Sequence, residues 1–174
     1  MKLIFLDVDG VLNSIESMIV NADSGSELCP IRCGLVARLI RETGAKVVVS
    51  SSWRTGNLAN TRALLDKAGA GRIVSNIIGE TPQGFDGHRG SQIAAWLKEH
   101  PGVASYVILD DDSDMLPDQP FVHTSMACGF GLDDYLDALT ILAPDHKDLN
   151  PLRGLVAYRG HWKRTKQQFS TGGG

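Results

Sequence analysis

The length, composition and charge of the chain indicate one soluble globular domain. Its 174 residues are 43% hydrophobic and 21% charged, with a net charge of −3. These values are ordinary for a soluble protein, and the chain is long enough to bury roughly 70% of the surface that its unfolded form would expose. No apolar run approaches the roughly 20 residues of a membrane helix, and Asp7 interrupts the N-terminal apolar run too early for a signal peptide. We therefore expect a cytoplasmic protein.

The small net charge hides a basic C-terminus. All 20 acidic residues lie at or before Asp148, whereas residues 151–174 contain five Lys and Arg residues and no acid, which leaves the rest of the chain at −8. Such a tail can contact polyanions, or it can be a solvated and partly flexible terminus. We therefore divide the chain into a domain at 1–150 and a basic tail at 151–174.

Three cysteines, Cys29, Cys33 and Cys128, cannot all pair within one chain. A cytoplasmic location favours free thiols. The spacing from Cys29 to Cys33 is not a usual zinc-binding spacing, and no Cys/His pair lies nearby in the sequence. We expect thiols at these positions.

Apolar runs and helical periodicities alternate along the chain. Short apolar runs bounded by polar residues predict strands, at 2–6, 45–49, within 72–80, at 106–109 and at 120–124. Apolar residues at helical spacing predict helices, from 35 to 44, at 57–68 with Gly69 ending the helix, at 90–100 and at 132–142. The segments 14–32 and 81–90 are predicted loops, the first with room for one short helical turn.

Strands that alternate with helices predict a parallel α/β sheet with helices on both faces. Three of the predicted strands end in polar clusters, and Gly10 allows a sharp turn after the first strand. In a parallel sheet these strand ends share one edge, which is where α/β proteins bind ligands. The clusters are Asp7 with Asp9, Ser50 with Ser51, and Asp110 with Asp111 and Asp112.

Carboxylates that converge at one edge repel one another unless a cation lies among them. Hard oxygen ligands with few His or Cys residues select Mg²⁺, which keeps waters that a phosphate can replace. An aspartate can act as a nucleophile by forming an aspartyl-phosphate, and phosphoryl transfer also needs charge neutralisation and an acid for the leaving group. The pattern therefore indicates magnesium-dependent phosphoryl transfer.

Four motifs resemble those of one protein family. "DVDGVLN" looks like the first motif of the haloacid dehalogenase (HAD) superfamily of phosphohydrolases, the strand ending at Ser50 matches its second motif, and "VILDDD" matches its fourth. "VVVSSSWR", "RGSQIAAWL" and "VILDDDSDM" are together similar to a branch related to bacterial and phage RNA-repair proteins. The resemblance covers residues 2–143. It implies a Rossmannoid three-layer α/β/α fold with a mainly parallel five-stranded sheet.

The resemblance also implies roles for the clustered residues. Asp7 would attack phosphorus, and Asp9 would protonate the leaving oxygen and later activate water while its backbone carbonyl binds Mg²⁺. Ser50 would hydrogen-bond a phosphoryl oxygen. Asp7, Asp110 and Asp111 would hold the metal, and the offset from the strand end favours Asp111 as the direct ligand.

Other candidates are less specific. Ser51 and Arg54 are candidate substrate-binding residues, although Arg54 can equally belong to the start of the next helix. The family has a Lys in its third motif, and the matching position in this chain is Arg89. We favour Arg89 over Lys98 for the role of that Lys. Asp112 and Asp114 either support the metal site or cap a helix, and we assign no catalytic role to His88 or His123.

The gaps between the motifs leave no room for a substantial cap domain, so the resemblance implies an open site. Together with the basic tail, this favours the 3′- or 5′-phosphate of a nucleotide or polynucleotide as substrate, with a small phosphorylated metabolite as the alternative. A receiver-type phosphoacceptor module and a non-catalytic nucleic-acid binding domain are rival interpretations from other classes. The oligomeric state does not follow from the sequence.

Overall fold

The N-terminal strand forms the centre of a five-stranded sheet. The computed structural model describes residues 1–21, 27–84, 87–147 and 149. Its strands are β1 (Lys2–Leu6), β2 (Lys46–Val49), β3 (Ile77–Glu80), β4 (Ser105–Asp110) and β5 (Phe121–His123). They lie in the order β3-β2-β1-β4-β5, and every neighbouring pair is parallel. The predicted α/β class is confirmed, and the sheet is parallel throughout.

Helices connect β1 to β2, β2 to β3 and β3 to β4, as the alternating pattern predicts, whereas the described segment between β4 and β5 contains no helix. They are α1 (Ile15–Val20), α2 (Pro30–Thr43), α3 (Leu58–Leu65), α4 (Gly71–Val74), α5 (Arg89–Glu99) and α6 (Leu132–Leu142), with a π-helical turn at Asp66–Ala70 between α3 and α4.

The continuous apolar run of β1 is explained by burial on both faces of the sheet. Ile4 and Leu6 face the larger hydrophobic core, whereas Leu3 and Phe5 face a smaller one. All four side chains are fully buried. A strand at the centre of a parallel sheet therefore needs apolar residues at every position rather than at alternate ones.

The two cores lie on opposite faces of the sheet and produce three layers. The larger core contains apolar residues of α2, α3, α4 and α6, including Leu39 and Leu139. The smaller core lies under α5, where the Phe5 and Trp96 rings meet edge to face with centroids 5.5 Å apart. This arrangement matches the expected three-layer α/β/α architecture.

Several elements differ from the sequence prediction in their details. The helix α2 begins at Pro30, within the predicted loop at 14–32, rather than at 35, and the short helix α4 was not predicted. The α-helix predicted at 57–68 ends at Leu65 and continues as the π-helical turn, in which Gly69 has a φ of 110°. The predicted loop at 14–32 contains the six-residue helix α1, which begins with a capping box between Ser14 and Ser17. Two serines three residues apart are a weaker sequence signal than the usual Ser/Thr and Glu pair, so pattern reasoning did not identify this helix start.

The site edge of the sheet carries no cap domain in the part of the chain that the structure describes. Between β1 and α2 the described residues form only α1, and between β3 and α5 they form no helix or strand. Within the described ranges, no helix is long and apolar enough to cross a membrane. The predicted basic tail at 151–174 and the last residue of the predicted domain lie outside the described residues.

Candidate active site

A buried polar residue lies at the carboxyl end of each of the five strands, at one edge of the sheet: Asp110 is the last residue of β4, and the other four directly follow their strands. The sequence predicted this for β1, β2 and β4, and the structure adds two threonines. The parallel hydrogen-bond pattern continues into these residues, since Asp7 N–H donates to Leu109 O and Ser50 N–H to Leu6 O, both at 2.9 Å. All five are therefore held by the sheet itself, and they are Asp7, Ser50, Thr81, Asp110 and Thr124.

Three carboxylates meet at this edge. One oxygen from each of Asp7, Asp110 and Asp111 lies within 4.8 Å of the other two. Asp110 is fully buried and Asp7 is nearly so. Because burial disfavours a charged carboxylate, the pKa of Asp7 rises to about 6 and that of Asp110 to about 7, with the charge of Asp7 also raising the latter.

Arg89 supplies the positive charge between the two buried acids. Its Nη1 lies 3.4 Å from Asp7 Oδ1, and its Nε lies 3.3 Å from Asp110 Oδ2. The guanidinium lowers the pKa of both carboxyls and opposes part of the effect of burial. Arg89 is the first residue of α5, and its backbone N–H donates to Asp114 Oδ2 at 2.7 Å, so Asp114 fixes the start of this helix.

Lys98 lies far from this cluster. It is exposed in the last turn of α5, nine residues after Arg89 and therefore about 13 Å further along the helix. Of the two candidates for the third motif, the structure brings Arg89 to the carboxylates.

The two serines after β2 lie on the same side of the site. Ser50 is fully buried, and its hydroxyl has no hydrogen-bond partner among the described residues. Ser51 lowers the pKa of Asp7 through a hydrogen bond from its hydroxyl, and the same hydroxyl accepts the Trp53 backbone N–H at 3.3 Å. The hydrogen bond from Ser51 to Asp7 thus connects the residues that follow β2 to the residue that follows β1.

Asp9 is held by two residues that sequence reasoning did not identify. Asn13 Nδ2 donates to Asp9 Oδ1 at 2.8 Å, and the indole Nε1 of Trp53 donates to Asp9 Oδ2 at 2.9 Å. Asn13 also accepts the Gly10 N–H at 3.1 Å. The quoted motifs contain both residues, but only the fold shows that they contact Asp9.

Gly10 is required by close packing as well as by the turn. It has a φ of +67°, and a Cβ at this position would lie 2.3 Å from Asp111 Cγ. The Asp111 carboxylate therefore occupies the space that a side chain at position 10 would fill.

Arg54 connects three elements around the site. Its guanidinium donates to the backbone carbonyls of Ser51 at 2.6 Å and Thr81 at 3.0 Å, to the Thr81 hydroxyl, and to Gln92 Oε1 at 3.0 Å. Burial and the nearby Arg89 charge lower the pKa of Arg54. Within the described residues, Arg54 thus joins the ends of β2 and β3 to α5.

The remaining candidates lie around the carboxylate cluster. The Asp112 side chain is exposed, and its backbone N–H donates to Asp110 Oδ1 at 3.0 Å. His88 Nδ1 lies 4.0 Å from Asp114 Oδ2. The His123 ring contacts the backbone carbonyl of Asp111, with 2.8 Å between Nε2 and the oxygen.

A family model places the chain among known proteins. The model described as the HAD domain in Swiss Army Knife RNA repair proteins matches residues 3–135. The chain belongs to this family. Searches of curated proteins and of solved structures each found no match.

Membership of this HAD family implies a hydrolase of the phosphatase type. HAD domains generally use Mg²⁺, and the carboxylate cluster fits that ion. Three carboxylates offer the hard oxygen ligands that Mg²⁺ prefers, and Asp110 Oδ2 is a buried oxygen that accepts no hydrogen bond from the described residues.

Replacing Asp110 with Asn is expected to stabilise the metal-free HAD domain at neutral pH. The pKa of Asp110 is about 7 in the folded protein and 3.8 ordinarily, so the folded state binds the proton more tightly than the unfolded state does. The penalty for burying the charge is therefore absent below about pH 4 and complete above about pH 7. At about pH 8 the free energy of unfolding of the variant should exceed that of wild type by about 1–3 kcal/mol, and at about pH 5 the difference should be smaller.

Thermal unfolding in the presence of a chelator measures this difference. Asp118→Asn is a matched control because Asp118 is exposed, and its effect should be the same at both pH values. A gain for Asp110→Asn that does not grow with pH would contradict the prediction.

Proposed function

We propose that this protein is a Mg²⁺-dependent phosphomonoesterase that acts through an aspartyl-phosphate on Asp7. One observation carries the proposal. Two buried groups that can bind a phosphoryl oxygen lie beside three converging carboxylates. The Ser50 hydroxyl has no hydrogen-bond partner among the described residues, and Arg89 Nη1 makes no hydrogen bond there beyond its 3.4 Å ion pair with Asp7 Oδ1. Unsatisfied buried polar atoms are costly, and a bound phosphoryl group with its metal would satisfy both and neutralise the carboxylates.

In the first step, a carboxylate oxygen of Asp7 attacks phosphorus and the ester P–O bond breaks. Asp9 gives a proton to the departing oxygen, which leaves as an alcohol. In the second step, Asp9 takes a proton from water, the water oxygen attacks phosphorus, and the bond to Asp7 breaks to release inorganic phosphate. Asp7 and Asp9 thereby return to their starting states.

The remaining site residues bind the phosphoryl oxygens. Ser50 supplies a hydroxyl donor, and Arg89 supplies a cation that can reach both Asp7 and a phosphoryl oxygen. The Ser51 hydroxyl donates to Asp7, so Ser51 binds a phosphoryl oxygen only if its hydroxyl turns away from Asp7 when the substrate is bound. Arg54 helps to hold the loop ends that carry these groups. Asp7, Asp110, Asp111 and the backbone carbonyl of Asp9 would hold Mg²⁺, which when bound supplies charge neutralisation for the phosphoryl group.

The substrate that we propose is the 3′- or 5′-phosphate of a nucleotide or polynucleotide. The family description names RNA repair proteins, the described site has no cap domain over it, and residues 151–174 are basic. A small phosphorylated metabolite is the second candidate, because the chemistry at the strand ends does not depend on the size of the leaving group.

Asp7→Asn is expected to abolish hydrolysis of a generic aryl phosphate, because the amide is a poor nucleophile and binds a cation weakly. Steady-state assays with and without Mg²⁺ should show a loss of at least about a thousandfold. Wild type without Mg²⁺ should fall towards the same level, and Asp118→Asn should retain full activity. If wild type with Mg²⁺ does not exceed Asp7→Asn, the phosphatase proposal fails, and oligonucleotide binding by that variant would favour a non-catalytic binding domain.

Arg89→Ala is expected to lower kcat/KM by about 10²–10³, the usual loss when a preorganised donor to a developing negative charge is removed. Lys98→Ala is the matched control on the same helix and should change kcat/KM little, because Lys98 lies about 13 Å away along α5. Arg89→Lys should restore part of the activity, since it keeps the charge but not the planar guanidinium. Equal losses for Arg89→Ala and Lys98→Ala would contradict the assignment of Arg89 to the third motif.

The substrate class can be tested with a panel of phosphorylated compounds. We expect a higher kcat/KM for 3′- or 5′-phosphorylated oligonucleotides than for nucleoside monophosphates or a sugar phosphate. Changing the five basic tail residues to Gln should raise KM for oligonucleotides and reduce its salt dependence, while leaving an aryl phosphate unaffected. The five residues changed in this variant are Arg153, Arg159, Lys163, Arg164 and Lys166. If its KM for oligonucleotides equals that of wild type, the tail has no part in binding.

A further inference from the structure

The indole N–H of Trp53, the only hydrogen-bond donor in that side chain, donates to Asp9, the proposed general acid and base of the reaction. Within the described residues, the Asp9 carboxylate receives two hydrogen bonds, one to each oxygen, from Asn13 and from the Trp53 indole. Trp53 is half-buried and packs against the larger core. Its ring is therefore held by the protein interior while its N–H reaches out to a partly exposed carboxylate.

The position of Trp53 is set by the same turn that contacts Asp7. The Ser51 hydroxyl accepts the Trp53 backbone N–H and donates a hydrogen bond to Asp7. The end of β2 thus holds both acids of the "DVD" motif, Asp7 through a serine and Asp9 through an indole. Asp9 and Trp53 are 44 residues apart in the sequence, so this contact exists only because β1 and β2 are neighbours.

We propose that Trp53 is a positioning residue for Asp9, an inference that rests on the proposed phosphatase function. The Trp53 and Asn13 donors hold the two oxygens in one orientation, so that Asp9 is in place to protonate the leaving oxygen when the P–O bond breaks. A hydrogen bond from a rigid ring restricts the rotation of a short side chain more strongly than solvent does, and it becomes charge-assisted as the proton leaves and the Asp9 carboxylate forms. Loss of the indole N–H therefore weakens proton delivery rather than phosphate binding.

This role predicts a dependence on the leaving group. The p-nitrophenolate ion departs readily without a proton, whereas phenolate needs one much more. If Trp53 acts through Asp9, Trp53→Phe will reduce kcat/KM about tenfold more for phenyl phosphate than for p-nitrophenyl phosphate, with KM little changed. Asp9→Asn will show the same selectivity with a larger amplitude.

Trp96→Phe is the matched control. Trp96 is buried in the smaller core under α5 and packs against Phe5, so its replacement removes the same atoms from a site that does not contact Asp9. Its effect on the two substrates should be equal. A double-mutant cycle completes the test, because Trp53→Phe should have no further selective effect once Asp9 is already Asn.

The hydrogen bond can also be tested without turnover. The chain has three tryptophans, so its NMR spectrum contains three indole N–H signals. Asp9→Asn should shift the Trp53 signal, which is assigned as the one that persists in both Trp96→Phe and Trp162→Phe, and leave that of Trp96 in place. An unshifted Trp53 signal would overturn the inference even if Trp53→Phe does not fold.

The kinetic outcomes separate the inference from the function on which it rests. If wild type hydrolyses neither aryl phosphate, the phosphatase proposal itself fails. If wild type hydrolyses both and Asp9→Asn is selective, but Trp53→Phe lowers both rates equally or raises them, only the positioning role of Trp53 is overturned.

Discussion

The site is organised around a buried charge balance. Two acids, Asp7 and Asp110, are almost completely removed from water, and Arg89 is the cation that lies between them. One guanidinium cannot neutralise Asp7, Asp110 and Asp111 together, so burial still raises the pKa of the first two. A site that concentrates excess negative charge in a dry environment favours binding of a divalent cation, which is why the carboxylates and the proposed metal form one system.

The scaffold keeps these charges in place through rigid elements. Asp7 directly follows the central strand β1, and Asp110 is the last residue of its neighbour β4. The sheet hydrogen bonds continue into the site, and Asp114 holds the first turn of α5, from which Arg89 projects. Gly10 leaves the space that Asp111 occupies. Arg54 joins two strand ends to α5. The acids therefore cannot separate to relieve their repulsion unless the sheet edge itself rearranges.

The surroundings of Asp9 follow a different principle. Asp9 is only partly buried and is held by hydrogen bonds from Asn13 and Trp53 rather than by an ion pair. In the mechanism that we propose, Asp9 exchanges protons with the leaving group and with water and therefore has to be oriented and accessible, whereas the nucleophile Asp7 needs a nearby cation. Within the described residues no cap domain covers this side of the site, which fits the polynucleotide substrate that we propose.

The sequence by itself determined the five strands, the four longest helices, the parallel sheet and the positions of Asp7, Ser50 and Asp110, because each depends on a local pattern: an apolar run, a helical period or a polar residue where a strand stops. It also contained Trp53, Asn13, Thr81 and Thr124, without any local sign of their contacts. Only the tertiary structure decided that Arg89 rather than Lys98 meets the carboxylates, that Arg54 joins neighbouring loops, and that Trp53 holds Asp9. These contacts join residues far apart in the chain, and their geometry is set by how strands and helices pack rather than by the residues on either side.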